Sequence, residues 1–196
     1  MKNAVVAVMA AFAFLTQVQG QSTDGKKGDF GFTAGFTSLN ARGDVQIGGI
    51  TDSDSEAYNG FYLGVFKEFA LSEKLTLHPE FQFAKYYGQA SHGDDNFTDL
   101  VLPVLLHYNF SPKFALFAGP RFDYLIPSDD NVENLNEFGV GAQLGAQWEL
   151  GTKFFVNLSA SLGLTERVEN DNGPVFGNDF VDVRTQTFNV GFGYRL

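Results

Sequence analysis

A chain of 196 residues without a single cysteine has the length of one domain, and it excludes both a disulfide framework and a lipidated cysteine start. The net charge of −10 is concentrated in four segments, 40–58, 88–98, 127–137 and 166–183, which excludes the basic footprint of a nucleic-acid-binding protein. Phe and Gly, at 22 each, are both in excess, and Phe suits a lipid-facing surface while Gly suits a crowded, strongly curved interior.

Residues 1–20 read as a cleaved signal peptide. Lys2 supplies the positive start, Ala4 to Leu15 form an unbroken apolar run, and Val18 and Gly20 are small enough for the two positions a signal peptidase reads. The run is too short for a transmembrane helix. Residues 21–27 follow as a short N-terminal periplasmic segment, and 28–196 form the folded domain.

Eight alternating strands are predicted over 29–39, 59–69, 75–87, 98–110, 114–126, 138–150, 154–166 and 184–196. Their apolar sets include Phe30, Phe32, Ala34 and Phe36 at the start and Phe154, Val156, Leu158, Ala160, Leu162 and Leu164 near the end. The last strand reads TQTFNVGFGYRL, with Phe188, Val190, Phe192, Tyr194 and Leu196 on one face and small or polar residues on the other. Short turns fall at 70–74, 111–113 and 151–153, and the acidic segments are the longer connections between them. Short turns on one side and long loops on the other is the asymmetry of an outer-membrane barrel, in which closure leaves no orphaned backbone group in lipid.

A soluble lipocalin-like barrel alternates too, with its apolar face inward. Three observations favour lipid outside. The apolar set is bulky for the inside of eight strands. The opposite set is Gly, Ser, Thr, Asn and Gln with few lysines, a poor aqueous surface. The amphipathic aromatics sit at strand ends: Tyr108, Trp148 and Tyr194 close three inward-running strands, and Tyr87 and Tyr124 close two outward-running ones, which makes two interfacial girdles. Lys67 and Lys85 fall on the same face near strand ends, where their heads can snorkel. The fold class is therefore all-β, an eight-stranded antiparallel up-and-down transmembrane barrel. Pro79, Pro103 and Pro120 interrupt it, and they predict bulges, bends or a register slip.

The stretch Leu100 to Ile126, LVLPVLLHYNFSPKFALFAGPRFDYLI, resembles the central hairpin of the outer-membrane beta-barrel domain family, often labelled porin-family and abundant in Bacteroidetes-type bacteria. The matching elements are Leu102-Pro103, the run to Tyr108, Pro112 and Ala118-Gly119-Pro120, together with Gly60-Phe61-Tyr62-Leu63-Gly64 and the terminal strand. The resemblance implies an OmpA/OmpX-like eight-stranded barrel in the bacterial outer membrane, brings no catalytic residues, and implies periplasmic chaperones and the barrel-assembly machinery as partners in biogenesis. The terminal apolar set, Phe188 to Leu196, is then the insertion signal, although Leu196 stands where many outer-membrane proteins end in Phe.

The inward set holds the residues able to carry chemistry: Glu80, Tyr86, Asp99, His107, Arg121, Asp123, Gln143, Glu149 and Arg195, with His78, Gln82 and Gln147. Arg121 is expected to fork to Glu80 or to Asp123. An eight-stranded interior is just wide enough for side chains to fill, and buried charges there must pair, so these residues read as a polar plug. The inward glycines Gly31, Gly35, Gly60, Gly64, Gly139, Gly141, Gly145 and Gly163 argue the other way, because they leave room for water.

Lipid-modifying catalysis needs a nucleophile beside a base at the lipid face. His78, His107, Ser159 and Ser161 point inward and His92 lies in a loop, so no such pair is visible. Asp171, Asn172, Gly173 and Asp179, Asp52, Asp54 and Glu56, and Asp94-Asp95 could hold divalent cations against anionic glycolipid, or form a hydrated acidic surface, which this composition favours. No cofactor or metal motif is present. The sequence thus predicts a monomeric outer-membrane barrel with outer-membrane lipid as its partner and no nucleic acid, with a structural or surface-interaction role. A small diffusion channel is the alternative and a lipid-modifying enzyme the weaker one.

Overall fold

The computed structural model describes residues 30–47, 50–90, 93–126, 137–165 and 180–196. The predicted signal peptide and the 21–27 segment lie outside them. Strands β1 (Phe30–Ile47), β2 (Ile50–Lys67), β4 (Leu75–Ala90), β5 (Gly93–Ser111), β6 (Phe114–Ile126), β7 (Phe138–Glu149), β8 (Phe154–Gly163) and β9 (Phe180–Arg195) form one antiparallel sheet. The two-residue β3 (Phe69–Ala70) continues β2 past a break at Glu68 and keeps its register on β4. Pairing of β1 with β9 and of β2 with β4 closes the sheet, so the wall is eight strands. Among the described residues there is no helix.

Alternation puts the expected faces where period two requires. Phe32, Phe36, Leu63, Leu144, Phe188 and Phe192 are exposed on the outer wall, Leu144 by 63%. Thr33, Thr37, Gln82, Gln143, Ser159 and Asn189 are buried inside. A wall with Phe and Leu outside and amides and hydroxyls inside is stable only against an apolar solvent.

At the end of the short turns the outer wall is ringed by aromatics. Trp148 packs on Phe114 at 4.6 Å, Phe154 on Tyr194 at 5.0 Å and Tyr108 on Phe110 at 4.7 Å. Tyr87, beside Phe61, and Tyr124, whose hydroxyl donates to Glu137, stand on the outer wall toward the other end. Gly151, in the 151–153 turn, has φ of 125°, a conformation that favours glycine.

Two expectations are corrected. The segments 40–58 and 88–98 are mostly strand: β1 and β2 pair up to Ile47 and Ile50, and β4 and β5 up to Ala90 and Gly93. Alternating acids do not stop a ladder, because its backbone hydrogen bonds are indifferent to side-chain polarity and the strand can continue beyond the apolar band. The prolines, in turn, cause no register slip. Pairing lapses opposite Pro79 between β2–β3 and β4, at Glu80–Phe81 against Leu102–Pro103, and at Val104–Leu105 against Gly119–Pro120, then resumes in the same register each time. Each proline lacks the N–H of a ladder bond, and the strands on either side hold the alignment. The one shift in the β5–β6 register is at Asn109/Ser111, beside the turn.

Leu144→Arg tests the assignment of faces. In lipid vesicles this exposed position should lose about 2–4 kcal/mol, the cost of a cation near the bilayer midplane, as measured by urea unfolding. A water-facing position would lose almost nothing.

Candidate functional site

The interior is the site, and rings dominate it. Tyr62, Phe66, Phe117 and Phe155 point inward and are buried. Each lies over a glycine on the strand beside it: Phe66 is paired with Gly31, Tyr62 with Gly35, Phe117 with Gly145 and Phe155 with Gly193. A Cβ added at any of these glycines would collide with that ring. Gly31, Gly35 and Gly145, which the composition offered as room for water, are instead sockets into which large side chains fold flat, as is Gly193; Gly141 and Gly163 line a small cavity. Tyr62 continues across Gly35 and Gly191 to donate from its hydroxyl to Asn157 Oδ1 at 3.3 Å.

Two imidazoles bridge the rings. Phe66, His78, His107 and Phe117 stack in series, with centroids 4.5, 4.7 and 4.8 Å apart and planes within 14–19° of parallel. Phe155 closes on Phe66 edge-on at 5.5 Å. The stack runs over four adjacent strands, β2, β4, β5 and β6, and Phe155 meets it from β8.

Below it, at the short-turn end, Arg195 forks to two carboxylates. Its Nε and Nη2 donate to Glu68 at 2.9 and 3.0 Å, and its Nη1 and Nη2 to Glu149 at 2.6 and 2.9 Å. Its guanidinium also lies 4.7 Å from the Phe155 ring centroid. Gln147 donates to Glu149 at 2.7 Å. His78 links this brace to Glu80, with Nδ1 3.4 Å from Glu68 and Nε2 3.7 Å from Glu80, and Thr33 donates to Glu80 from β1, across β2. Glu68 stands in the break between β2 and β3, at the rim. Burial would raise its carboxyl, but contact with His78 and the Arg195 fork outweigh this and hold it down to about 2.

Toward the other end, Arg121 reaches over Gly141 to donate to Ser161 Oγ at 3.0 Å, and its Nε lies 3.8 Å from Asp123. Of the two expected partners it takes Asp123. Glu80 is not on a neighbouring strand, since β5 intervenes. Gln143 and Asn189 both donate to Ser159 Oγ, at 3.2 and 3.3 Å. Thr37 meets Tyr86 at 3.4 Å, and Leu39, Tyr62, Ala84, Tyr86 and Val101 form an apolar cluster inside the barrel. A cavity of about 10 Å³ remains beside Arg121, Asp99 and Asp123, the scale of a single water probe.

Every residue of the sequence-derived lumen set thus points into the barrel: Glu80, Tyr86, Asp99, His107, Arg121, Asp123 and Gln143 deep within it, Glu149 and Arg195 at the rim. Glu68 and the inward aromatics were missed. The signal for Tyr62, Phe66, Phe117 and Phe155 is their inward parity, opposite to that of the outward apolar set. The serines bond to amides and to Arg121, apart from the imidazoles, and among the described residues no three His, Cys, Asp or Glu are placed to hold a metal ion. The loop acids Asp52, Asp54, Asp94, Asp95, Asp171 and Asp179, with His92, Asn172 and Gly173, lie outside the described side chains.

A closed eight-stranded wall with an apolar outer face and a packed polar and aromatic interior coincides with a family match. The model described as outer membrane protein beta-barrel domain covers residues 17–167. The chain belongs to this family. It is a protein of the bacterial outer membrane, and its short turns accordingly mark the periplasmic end. Among solved structures, Neisserial surface protein A is similar over 84% of this chain and 97% of its own, at 10% identity and a TM-score of 0.56. Ail, the attachment invasion locus protein of Yersinia pestis, matches over 87% and 100%, at 15% identity and 0.48. Outer membrane protein AlkL matches over 92% and 95%, at 14% and 0.48. No curated protein matches the sequence.

Arg195→Ala should cost about 3–5 kcal/mol, because it strands two partly buried carboxylates, read from urea unfolding in lipid. The depressed Glu68 carboxyl adds stability that is complete above its ordinary 4.5 and is lost as pH falls through about 2. Removing Arg195 should flatten that acid limb.

Proposed function

We propose that this protein is a plugged outer-membrane barrel whose role is structural and interactive: it anchors in lipid and holds the bases of acidic external loops in fixed positions. One observation carries the reading. At one level of the lumen Phe66, His78, His107 and Phe117 stack and Phe155 closes on them edge-on, with the three phenylalanines seated on glycines. A diffusion path would have to displace this layer and then the Arg195 brace beneath it, which costs both aromatic packing and ion pairs. Ser159 and Ser161 are engaged by amides and by Arg121, and the imidazoles are stacked between rings away from them, and this supports a non-enzymatic role. Fixed loop bases suit contact with ligands, cells or matrix, since function on such scaffolds lives in loops.

Conductance of the refolded protein in a planar bilayer tests this. The wild type should be silent. Phe66→Ala, Phe117→Ala and Phe155→Ala combined should open a steady current, since they empty three of the glycine sockets. Discrete openings by the wild type would convert the reading to a small porin.

A further inference from the structure

On the outer wall, near the periplasmic end, a groove of about 440 Å³ runs over β9, β1, β2 and β4. Its floor is Ala34, which stands in register between Leu63 and Phe192, two large neighbours. Its flanks are Phe32, Phe81, Phe83 and Tyr194. The cause is local: one small residue in a row of rings and leucines leaves a slot, and the volume falls in the range of small-molecule sites, roughly 300–1,000 Å³. An apolar slot facing lipid fits a hydrocarbon chain.

The periplasmic mouth of the slot carries charge of one sign. Lys67 follows Val65, a lining residue, on the same face of β2, and its Nζ sits 5.0 Å from the Phe69 ring centroid. Lys153 lies on the other flank, its Nζ 5.5 Å from the Tyr194 ring centroid and 3.5 Å from that hydroxyl. Tyr194 itself lines the slot. Among the described residues neither ammonium is paired with a carboxylate. The rings hold both cations beside the interfacial aromatics, where anionic headgroups are found. Lys85, on the same outer wall, sits 5.4 Å from Tyr87, toward the opposite end of the barrel.

We infer that the slot is a binding site for one anionic glycerophospholipid of the periplasmic leaflet, its acyl chain over Ala34 and its phosphate between Lys67 and Lys153. The two lysines select a net-negative headgroup over a zwitterionic one, each contributing about a fivefold preference.

The test is native mass spectrometry of the refolded barrel in detergent, titrated with phosphatidylglycerol or phosphatidylcholine of the same chains. The wild type should take up one phosphatidylglycerol at saturation, with phosphatidylcholine binding weaker by about 25-fold if both lysines act. Lys67→Ala and Lys153→Ala should each remove about fivefold of that preference, and Lys85→Ala should leave it intact. Ala34→Phe fills the slot from the lipid side and should abolish the single adduct for both lipids. Heat-modifiable gel migration confirms that every variant is folded. A ladder of adducts without saturation, equal across lipids and variants, would overturn the proposal. So would a protein dimer that Ala34→Phe abolishes, because a second copy would then be the occupant.

Discussion

Everything inside this barrel depends on rings lying flat over glycines. Eight strands enclose a space just wide enough for side chains, so large rings need small partners, and glycines alone would leave it wet. Placing Phe66 on Gly31, Tyr62 on Gly35, Phe117 on Gly145 and Phe155 on Gly193 resolves the two problems together. Each ring borrows the volume its partner lacks. The imidazoles of His78 and His107 then have parallel faces to stack on, and this ring layer lies between the Arg195 brace and the Arg121 group. The Arg195 brace is the charged counterpart of this packing: one guanidinium joins the last strand to the break after β2 and to the end of β7, so three distant parts of the chain meet at the rim.

Much of the outer architecture was legible because period two reports directly on faces. Phe188, Val190, Phe192 and Tyr194 could be assigned to one wall from spacing alone, and the short turns gave the hairpins their order. Less of the interior was legible, for a specific reason. Phe117 and Phe155 sit beside Leu116 and Phe154 in sequence, so a run of apolar residues masked which member faced inward. Their pairing with Gly145 and Gly193 is a cross-strand relation, and for Gly193 the partner lies across a long connection whose length does not set register. Glu68 carried inward parity beside the outward Lys67 in the predicted 59–69 strand, but its partner Arg195 lies 127 positions away, a cross-barrel relation that parity does not report. The reach of strands beyond the apolar band was also illegible, since acidic residues such as Glu56 mark loops by composition while the ladder simply continues through them.

The proline gaps give the wall a mechanical asymmetry. From β6 through β7, β8, β9 and β1 to β2, each ladder runs without a lapse. From β2 through β4 and β5 to β6, every one is broken beside a proline. The barrel is thus a stiff arc joined to a compliant one. When the surrounding bilayer squeezes it out of round, the change of curvature will concentrate in β4 and β5, while the arc that carries the C-terminal strand keeps its shape.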